Sequence, residues 1–214
     1  MWIKEIAKQE QKIKYSQNGE EYRLEYIFDH IGTTNKVFVD IGAWNGEHLS
    51  NTKLFREKGW LGVLIDGKDY AGIYKSFVTK ENILNTLSKF NIPEEFDLLS
   101  IDIDGNDYWI LREILTKPRP RVIVSEFNSE FPPTESKTIE YDPQFQFGKP
   151  DDYYGYTYGA GVKLAEEFGY TIIYQQSNMN LFYLRNDEVI EDPEFEVKEH
   201  KHWNSVSNKK WIEI

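Results

Sequence analysis

The chain has 214 residues, no cysteine, a hydrophobic share of 40% and a formal net charge of −11 at pH 7. This length and composition fit one domain with a substantial core, and the absence of cysteine excludes disulfides and Cys-based metal sites and suits the reducing cytoplasm. The negative charge disfavours nucleic acid as a partner, while no apolar run reaches the roughly 18 residues of a membrane span and the first residues lack a signal-peptide core.

The first 35 residues are predicted to form a helical segment ahead of the core. Apolar residues at Ile3, Ile6 and Ile13 favour a helix over residues 1–17. A second helix is predicted over residues 20–31, after a turn.

The core predicted over residues 36–185 alternates strands with helices. The strands are expected at 37–41, 61–66, 76–79, 96–103, 121–127, 170–174 and 180–184, and the helices at 81–90, 107–115 and 159–168. This alternation predicts a three-layer α/β fold around a mostly parallel, seven-stranded sheet. The last two strands have only a short polar loop between them, so they are predicted to form a terminal antiparallel hairpin.

Two segments outside this alternation complete the single domain. Residues 132–150, rich in proline and aromatic side chains, are predicted to form an ordered surface excursion. Residues 186–214 are polar and are predicted to be a loosely attached tail, with His200 and His202 in a solvated or docked segment rather than on a metal.

The segment Val37–Gly46 predicts a nucleotide site. An apolar strand ends at Asp40 and meets a turn in which Gly42 and Gly46 let the backbone bend tightly and a ligand approach. The next strand ends at Asp66, whose carboxylate can accept two hydrogen bonds from a ribose diol. Taken alone, the loop is equally compatible with a structural turn, but with Asp66 it predicts a ribose-bearing cofactor.

Six segments follow one another in a characteristic order along residues 15–185. They are Tyr15–Glu20, Asp40–Ala43, Ser50–Thr52, Gly59–Asp66, Asp97–Gly105 and Glu126–Asn128. Together they resemble FkbM-like S-adenosylmethionine-dependent methyltransferases. The resemblance implies the Rossmann-like class I methyltransferase fold and S-adenosylmethionine as the cofactor.

The resemblance also implies roles for individual residues. The candidate cofactor-binding residues are Asp40, Gly42, Ala43 and Gly46 in the first loop, Asp66 for the ribose, Thr79 and Asn82 for the adenine, and Asp102. Thr79 is equally well explained as the N-cap of the following helix.

Acidic side chains concentrate where two neighbouring strands are predicted to end. Asp102, Asp104 and Asp107 follow one strand, and Glu126 and Asn128 end the next. Ligands bind beyond the carboxyl ends of such strands, and hard oxygen ligands suit Mg²⁺. The parallel with Mg²⁺-dependent methyltransferases implies Asp102, Glu126 and Asn128 as ligands that would acidify the acceptor hydroxyl. The alternative is that these acids cap the following helix and bind the cofactor or the acceptor.

Methyl transfer requires an aligned acceptor and a group that takes its proton. The candidate catalytic bases are Asp104, Glu126 and His48, the last predicted in a helix after the first loop. The candidate substrate-binding residues are Gln17, Tyr153 and Tyr154. Tyrosines beside acids suit sugars, although packing of a long loop is an equal explanation.

The sequence thus predicts a methyltransferase acting on a hydroxyl of a glycan or another polar small molecule, with no nucleic acid or membrane partner and a homo-oligomer left open. One alternative is an NAD-linked oxidoreductase, which the missing third glycine of G-x-G-x-x-G and the terminal hairpin disfavour. Another is a non-catalytic binding protein that keeps the cofactor fold.

Overall fold

The computed structural model describes residues 2–10, 12–148, 152–198 and 209–214. The strands are β1 (Val37–Ile41), β2 (Leu61–Asp66), β3 (Tyr74–Lys75), β4 (Glu95–Ile101), β5 (Arg119–Glu126), β6 (Lys137–Ile139), β7 (Tyr170–Gln176), β8 (Asn180–Arg185) and β9 (Trp211–Glu213). The helices are α1 (Glu20–Ile31), α2 (Lys53–Glu57), α3 (Ile83–Ser88), α4 (Asp107–Ile114) and α5 (Tyr158–Phe168), and 3₁₀ turns lie at Ile3–Lys8 and Asn186–Glu188.

Seven of these strands form one sheet in the order β3-β2-β1-β4-β5-β8-β7. The first five strands in this order, β3, β2, β1, β4 and β5, are parallel. Strand β8 is antiparallel to both β5 and β7. Strands β6 and β9 form a separate antiparallel pair. The predicted fold class is confirmed: a mostly parallel seven-stranded sheet that ends in an antiparallel hairpin.

Alternation along the central strands divides the core between the two faces of the sheet. Val39 and Leu99 pack with one hydrophobic cluster, which includes residues of α3, α4 and α5. Phe38 and Leu98 pack with a second cluster, which includes residues of α1 and α2. Burial on both faces explains why these strands are almost continuously apolar in sequence. None of the described helices is long and apolar enough to cross a membrane.

The helix predicted over residues 1–17 is wrong, because only the short 3₁₀ turn Ile3–Lys8 forms within the described part of it. The Glu21 carboxylate of α1 accepts hydrogen bonds from the backbone N–H groups of Lys14 and Tyr15, at 2.7 and 2.9 Å. These bonds to a side chain replace backbone bonds that a helix would make and fold the end of the segment back onto α1.

The third strand predicted over residues 76–79 is also misplaced. The strand is Tyr74–Lys75, which pairs with Ile65 and Asp66 of β2. Residues 76–78 have left the sheet and line a cavity instead. Two residues are too short for the alternating pattern by which a strand is recognised in sequence.

The tail over residues 186–214 is docked where the structure describes it, which corrects the expectation of loose attachment. β9 pairs with β6, and the Trp211 ring packs 4.7 Å from Phe131 and 5.2 Å from Tyr153, between centroids. Phe195 and Ile214 also pack against the core. The predicted pair His200 and His202 lies outside the described residues.

Gly42 is the residue on which the junction between β1 and the loop after β4 depends. Its φ is +82°, and a Cβ on it would lie 1.6 Å from the Asp102 carbonyl oxygen. Gly42→Ala is therefore expected to lower the free energy of unfolding by more than about 3 kcal/mol, measured by urea denaturation.

Gly72→Ala is the matched control. Gly72 has a φ of +80°, but a Cβ on it would meet nothing within 4 Å, so only the backbone penalty of about 1 kcal/mol is expected. Equal losses of stability in the two variants would show that the close approach at Gly42 is unimportant.

Candidate functional site

A cavity of about 640 Å³ opens at the carboxyl ends of β1, β2, β4 and β5. Asp40 of β1, Asp66 of β2 and Glu126 of β5 line it, together with Asp102 and Asp104 just beyond β4. The order of the sheet reverses between β1 and β4, and ligands of open α/β sheets bind at such a switch point. The volume suits a ligand of nucleoside size with a second molecule beside it.

The first loop is fixed to β2 by its backbone. The N–H groups of Gly42 and Ala43 donate to the Ile65 carbonyl, at 2.9 and 3.1 Å. The Asp66 carboxylate accepts from the N–H groups of Trp44 and Lys68, at 2.9 and 2.8 Å. Asp66 therefore stands in a fixed position on the cavity wall, with acceptor capacity left for a ligand.

Gly46 has a different place from the one predicted for it. It is a turn residue with a φ of +69°, and its carbonyl accepts a hydrogen bond from Arg56. It does not line the cavity, unlike Asp40, Gly42, Ala43 and Asp66.

His48 lines the mouth of the cavity but does not lie in a helix, because α2 begins only at Lys53. Its backbone N–H donates to the Asn45 side chain at 3.0 Å, which closes a local turn. Its exposed ring packs edge-on against Trp44, with 5.9 Å between centroids. The predicted helix was wrong because this turn competes with helical hydrogen bonding.

Asp40 is 5% exposed and accepts a hydrogen bond from the Thr52 hydroxyl at 2.6 Å. Ser100 also hydrogen-bonds to it, and the Asn51 amide donates to the Ser100 hydroxyl at 3.2 Å. Burial raises the pKa of Asp40 to about 6, against the lowering effect of these bonds. Asp40 thus presents a charge that is poorly solvated and open to a cationic ligand.

Three carboxylates form the floor of the cavity. Oxygens of Asp102, Asp104 and Glu126 all lie within 4.8 Å of one another. Glu126 is 4% exposed, and its Oε2 atom has no hydrogen-bond partner. Burial, and then the neighbouring carboxylates, raise the pKa values of Asp102 and Glu126 well above their usual range.

Backbone strain also concentrates at the cavity. Among the described residues, six that are not glycine have a positive φ, and Trp44, Leu49 and Asp104 of these line the cavity. Such conformations persist where the surrounding structure enforces them, and they are frequent at functional sites.

Asp107 does not belong to the floor. Its buried carboxylate accepts hydrogen bonds from the N–H groups of Ile103 and Gly105, at 2.9 and 2.8 Å. It holds the loop that presents Asp102 and Asp104, which is a structural role.

The structure does not bring Asn128 to the cavity. Its amide nitrogen donates to the carbonyls of Asp152 and Tyr154, at 2.8 and 3.1 Å, and its amide oxygen accepts from the Glu130 N–H. These bonds occupy the amide in holding a loop, so we leave Asn128 out of the candidate ligand set. Asp104 stands beside Asp102 and Glu126 instead.

Thr79 and Asn82 likewise lie away from the cavity. The Asn82 amide accepts from the Thr79 N–H and donates to the Phe77 carbonyl, both at 2.9 Å, and so closes the turn before α3. The neighbouring residues Phe77 and Val78 line the cavity in their place.

The candidate substrate residues separate into two groups. Gln17 lines the cavity, but Tyr153 and Tyr154 do not. The two tyrosines pack behind it, Tyr153 against Phe145 and Tyr154 against Phe147, with 6.1 and 5.5 Å between centroids. The two phenylalanines form the wall of the cavity.

Sequence reasoning missed Asn180, a buried amide of the site. Asn180 opens β8, is 5% exposed and lines the cavity, and its Oδ1 atom has no hydrogen-bond partner. It lies opposite Glu126 in the β5–β8 register. Only the register of the hairpin could have revealed it, since nothing near it in sequence marks a site.

Comparison with known proteins gives limited information. No family model matches the chain, and no curated protein matches it. A solved crystal structure described as "a putative O-methyltransferase from Klebsiella pneumoniae" is similar at 15% identity and a TM-score of 0.41, over 86% of this chain and 88% of that one. Because this similarity is weak, we argue function from the geometry of the cavity alone.

The shifted pKa of Asp40 predicts a pH dependence of stability. Between pH 4 and pH 7 the unfolded state loses the Asp40 proton first, because its pKa there is about 3.9 against about 6 in the native state. The native state of the wild type therefore loses stability over this range relative to Asp40→Asn, which does not titrate. Between pH 4 and pH 7 the difference in the free energy of unfolding between the two proteins should change by about 2 kcal/mol in favour of the variant.

Urea unfolding of both proteins at pH 4, 5, 6 and 7, with a chelator present, measures this difference. A constant difference in the free energy of unfolding across the series would contradict the raised pKa.

Proposed function

We propose that the chain is an S-adenosylmethionine-dependent methyltransferase that acts on a hydroxyl of a glycan or another polar small molecule. The observation that carries the proposal is the acid-lined cavity at the switch point of the sheet. The first loop lines this cavity, together with Asp40 of β1 and Asp66 of the neighbouring strand β2. The FkbM-like family is the group that the residue pattern resembles.

The charge of the cavity distinguishes the two cofactors considered. S-adenosylmethionine carries a sulfonium and an ammonium group, which carboxylates such as Asp40 and Asp102 attract. NAD carries a pyrophosphate, which the same carboxylates repel. Asp66 is placed to accept from a ribose diol, and Phe77 and Val78 offer apolar surface for the adenine.

The acids of the floor also offer a route for the acceptor's proton. Asp104 reaches the cavity from a partly solvated position, and burial raises its pKa. A raised pKa makes a carboxylate a better base at neutral pH. In the cavity without a bound cation, Asp104 and Glu126 are therefore the proposed bases, and His48 at the mouth is the third candidate.

The same residues suit a divalent cation, and we include Mg²⁺ in the proposal. Asp102, Asp104 and Glu126 would hold it, and the unpartnered Glu126 oxygen fits such a ligand. A bound Mg²⁺ would orient the acceptor hydroxyl and lower its pKa.

The walls support a neutral, polar acceptor. Phe145 and Phe147 provide ring faces of the kind on which sugars stack, and the carboxylates can accept hydrogen bonds from hydroxyl groups. An anionic acceptor would meet the repulsion of the floor.

Isothermal titration calorimetry with S-adenosylhomocysteine and with NAD tests the proposal. S-adenosylhomocysteine is expected to bind at one site, and NAD is not. Asp66→Ala should weaken S-adenosylhomocysteine at least tenfold, about 1.4 kcal/mol, because the ribose loses hydrogen bonds to a charged group.

Asp69→Ala is the matched control, because Asp69 is an exposed carboxylate three residues away that does not line the cavity. It should leave the affinity unchanged. Absence of S-adenosylhomocysteine binding at millimolar concentration would refute the cofactor assignment, and binding of NAD alone would favour an oxidoreductase.

A further inference from the structure

The side chain of Asn180 lies next to the carboxylate floor. Glu126 and Asn180 are direct partners in the antiparallel β5–β8 register, and both line the cavity. Cβ atoms of such partners are about 4.5–5.5 Å apart on the same face of the sheet. An amide oxygen on Asn180 can therefore reach a ligand that Glu126 also binds.

The orientation of the Asn180 amide is set by Glu20. The Nδ2 atom of Asn180 donates to the Glu20 carboxylate at 3.0 Å, and Glu20 is completely buried at the start of α1. A carboxylate only accepts hydrogen bonds, so it selects the nitrogen end of the amide and turns Oδ1 away from itself. Glu20 is fixed in turn by the N–H of Asn18, at 2.8 Å.

Among the described residues that line the cavity, three buried side-chain oxygens have no partner: Oδ1 of Asn106, Oδ1 of Asn180 and Oε2 of Glu126. The last two belong to direct cross-strand partners. A buried acceptor without a partner is unfavourable, and three carboxylates within 4.8 Å repel one another. A neutral hydrogen-bond donor would satisfy the two oxygens but would leave the repulsion. A divalent cation relieves both, and oxygen-only donors are what Mg²⁺ and Mn²⁺ prefer.

We propose that Asn180 is a fourth oxygen ligand of the cation held by Asp102, Asp104 and Glu126, and that Glu20 is the positioning residue that orients it. This rests on the cation included in the proposed function. It also makes the N-terminal segment, through Asn18 and Glu20, a part of the cation site.

Mn²⁺ binding to the full chain without cofactor, followed by electron paramagnetic resonance of the free ion, tests the proposal. The wild type is expected to bind at one site. Asn180→Ala should weaken the affinity about tenfold. Glu20→Gln should weaken it about threefold, because the glutamine amide can donate as well as accept and no longer selects one orientation of the Asn180 amide.

The exchanged pair Glu20→Gln with Asn180→Asp is expected to restore the affinity. In this double variant the glutamine amide at position 20 can donate to the aspartate carboxylate at position 180, and the second oxygen of that carboxylate still faces the cavity. Gln175→Ala is the matched control. Gln175 is a buried amide that donates to the Ser177 carbonyl at 2.8 Å, outside the cavity lining. Its loss should change the affinity less than twofold.

Equal weakening in Asn180→Ala and Gln175→Ala would overturn the proposal, because it would show a structural role only. Unchanged affinity in Asn180→Ala, with an intact thermal melt, would also overturn it. If the wild type does not bind Mn²⁺ at millimolar concentration, the cation site is refuted. Calorimetry with S-adenosylhomocysteine decides separately whether the methyltransferase assignment survives.

Discussion

The concentration of carboxylates at one edge of the sheet is the constraint on which the site depends. Among the described residues, the acids that line the cavity are Asp40, Asp66, Asp102, Asp104 and Glu126. Lys68 is the one lysine among the described residues of the lining. Burial and mutual repulsion raise the pKa values of some of these groups, as at Asp102 and Glu126. A pocket built in this way is complementary to positive charge, which a sulfonium cofactor and a divalent cation both supply.

The fold produces this concentration through a few close approaches. Parallel strands end at the same edge, and Gly42 lets β1 pass against the Asp102 carbonyl where the order of the sheet reverses. The Asp107 carboxylate and the Asn128 amide form hydrogen bonds with backbone groups of loops and are not part of the floor. Residues that resemble ligands in sequence thus stabilise the loops that present the ligands.

Local patterns predicted the sheet, the closing hairpin and the acids of the cavity, because apolar runs and strand ends are properties of short segments. The helix predicted over residues 1–17 does not reach its predicted end, because the Glu21 side chain, beyond that end, accepts hydrogen bonds from its backbone. Asn180 could not be found because its place depends on its partner Glu126 across the sheet. Whether an amide faces a cavity or a loop, as with Asn180 and Asn128, is decided by tertiary hydrogen bonds that no local pattern encodes.

A crystal structure with S-adenosylhomocysteine and Mn²⁺ tests the central claim, that this edge of the sheet holds both cofactor and cation. We predict the ribose within hydrogen-bonding distance of Asp66 and an anomalous manganese peak among Asp102, Asp104 and Glu126. Density for S-adenosylhomocysteine elsewhere on the molecule, or a manganese peak away from these carboxylates, would contradict the account.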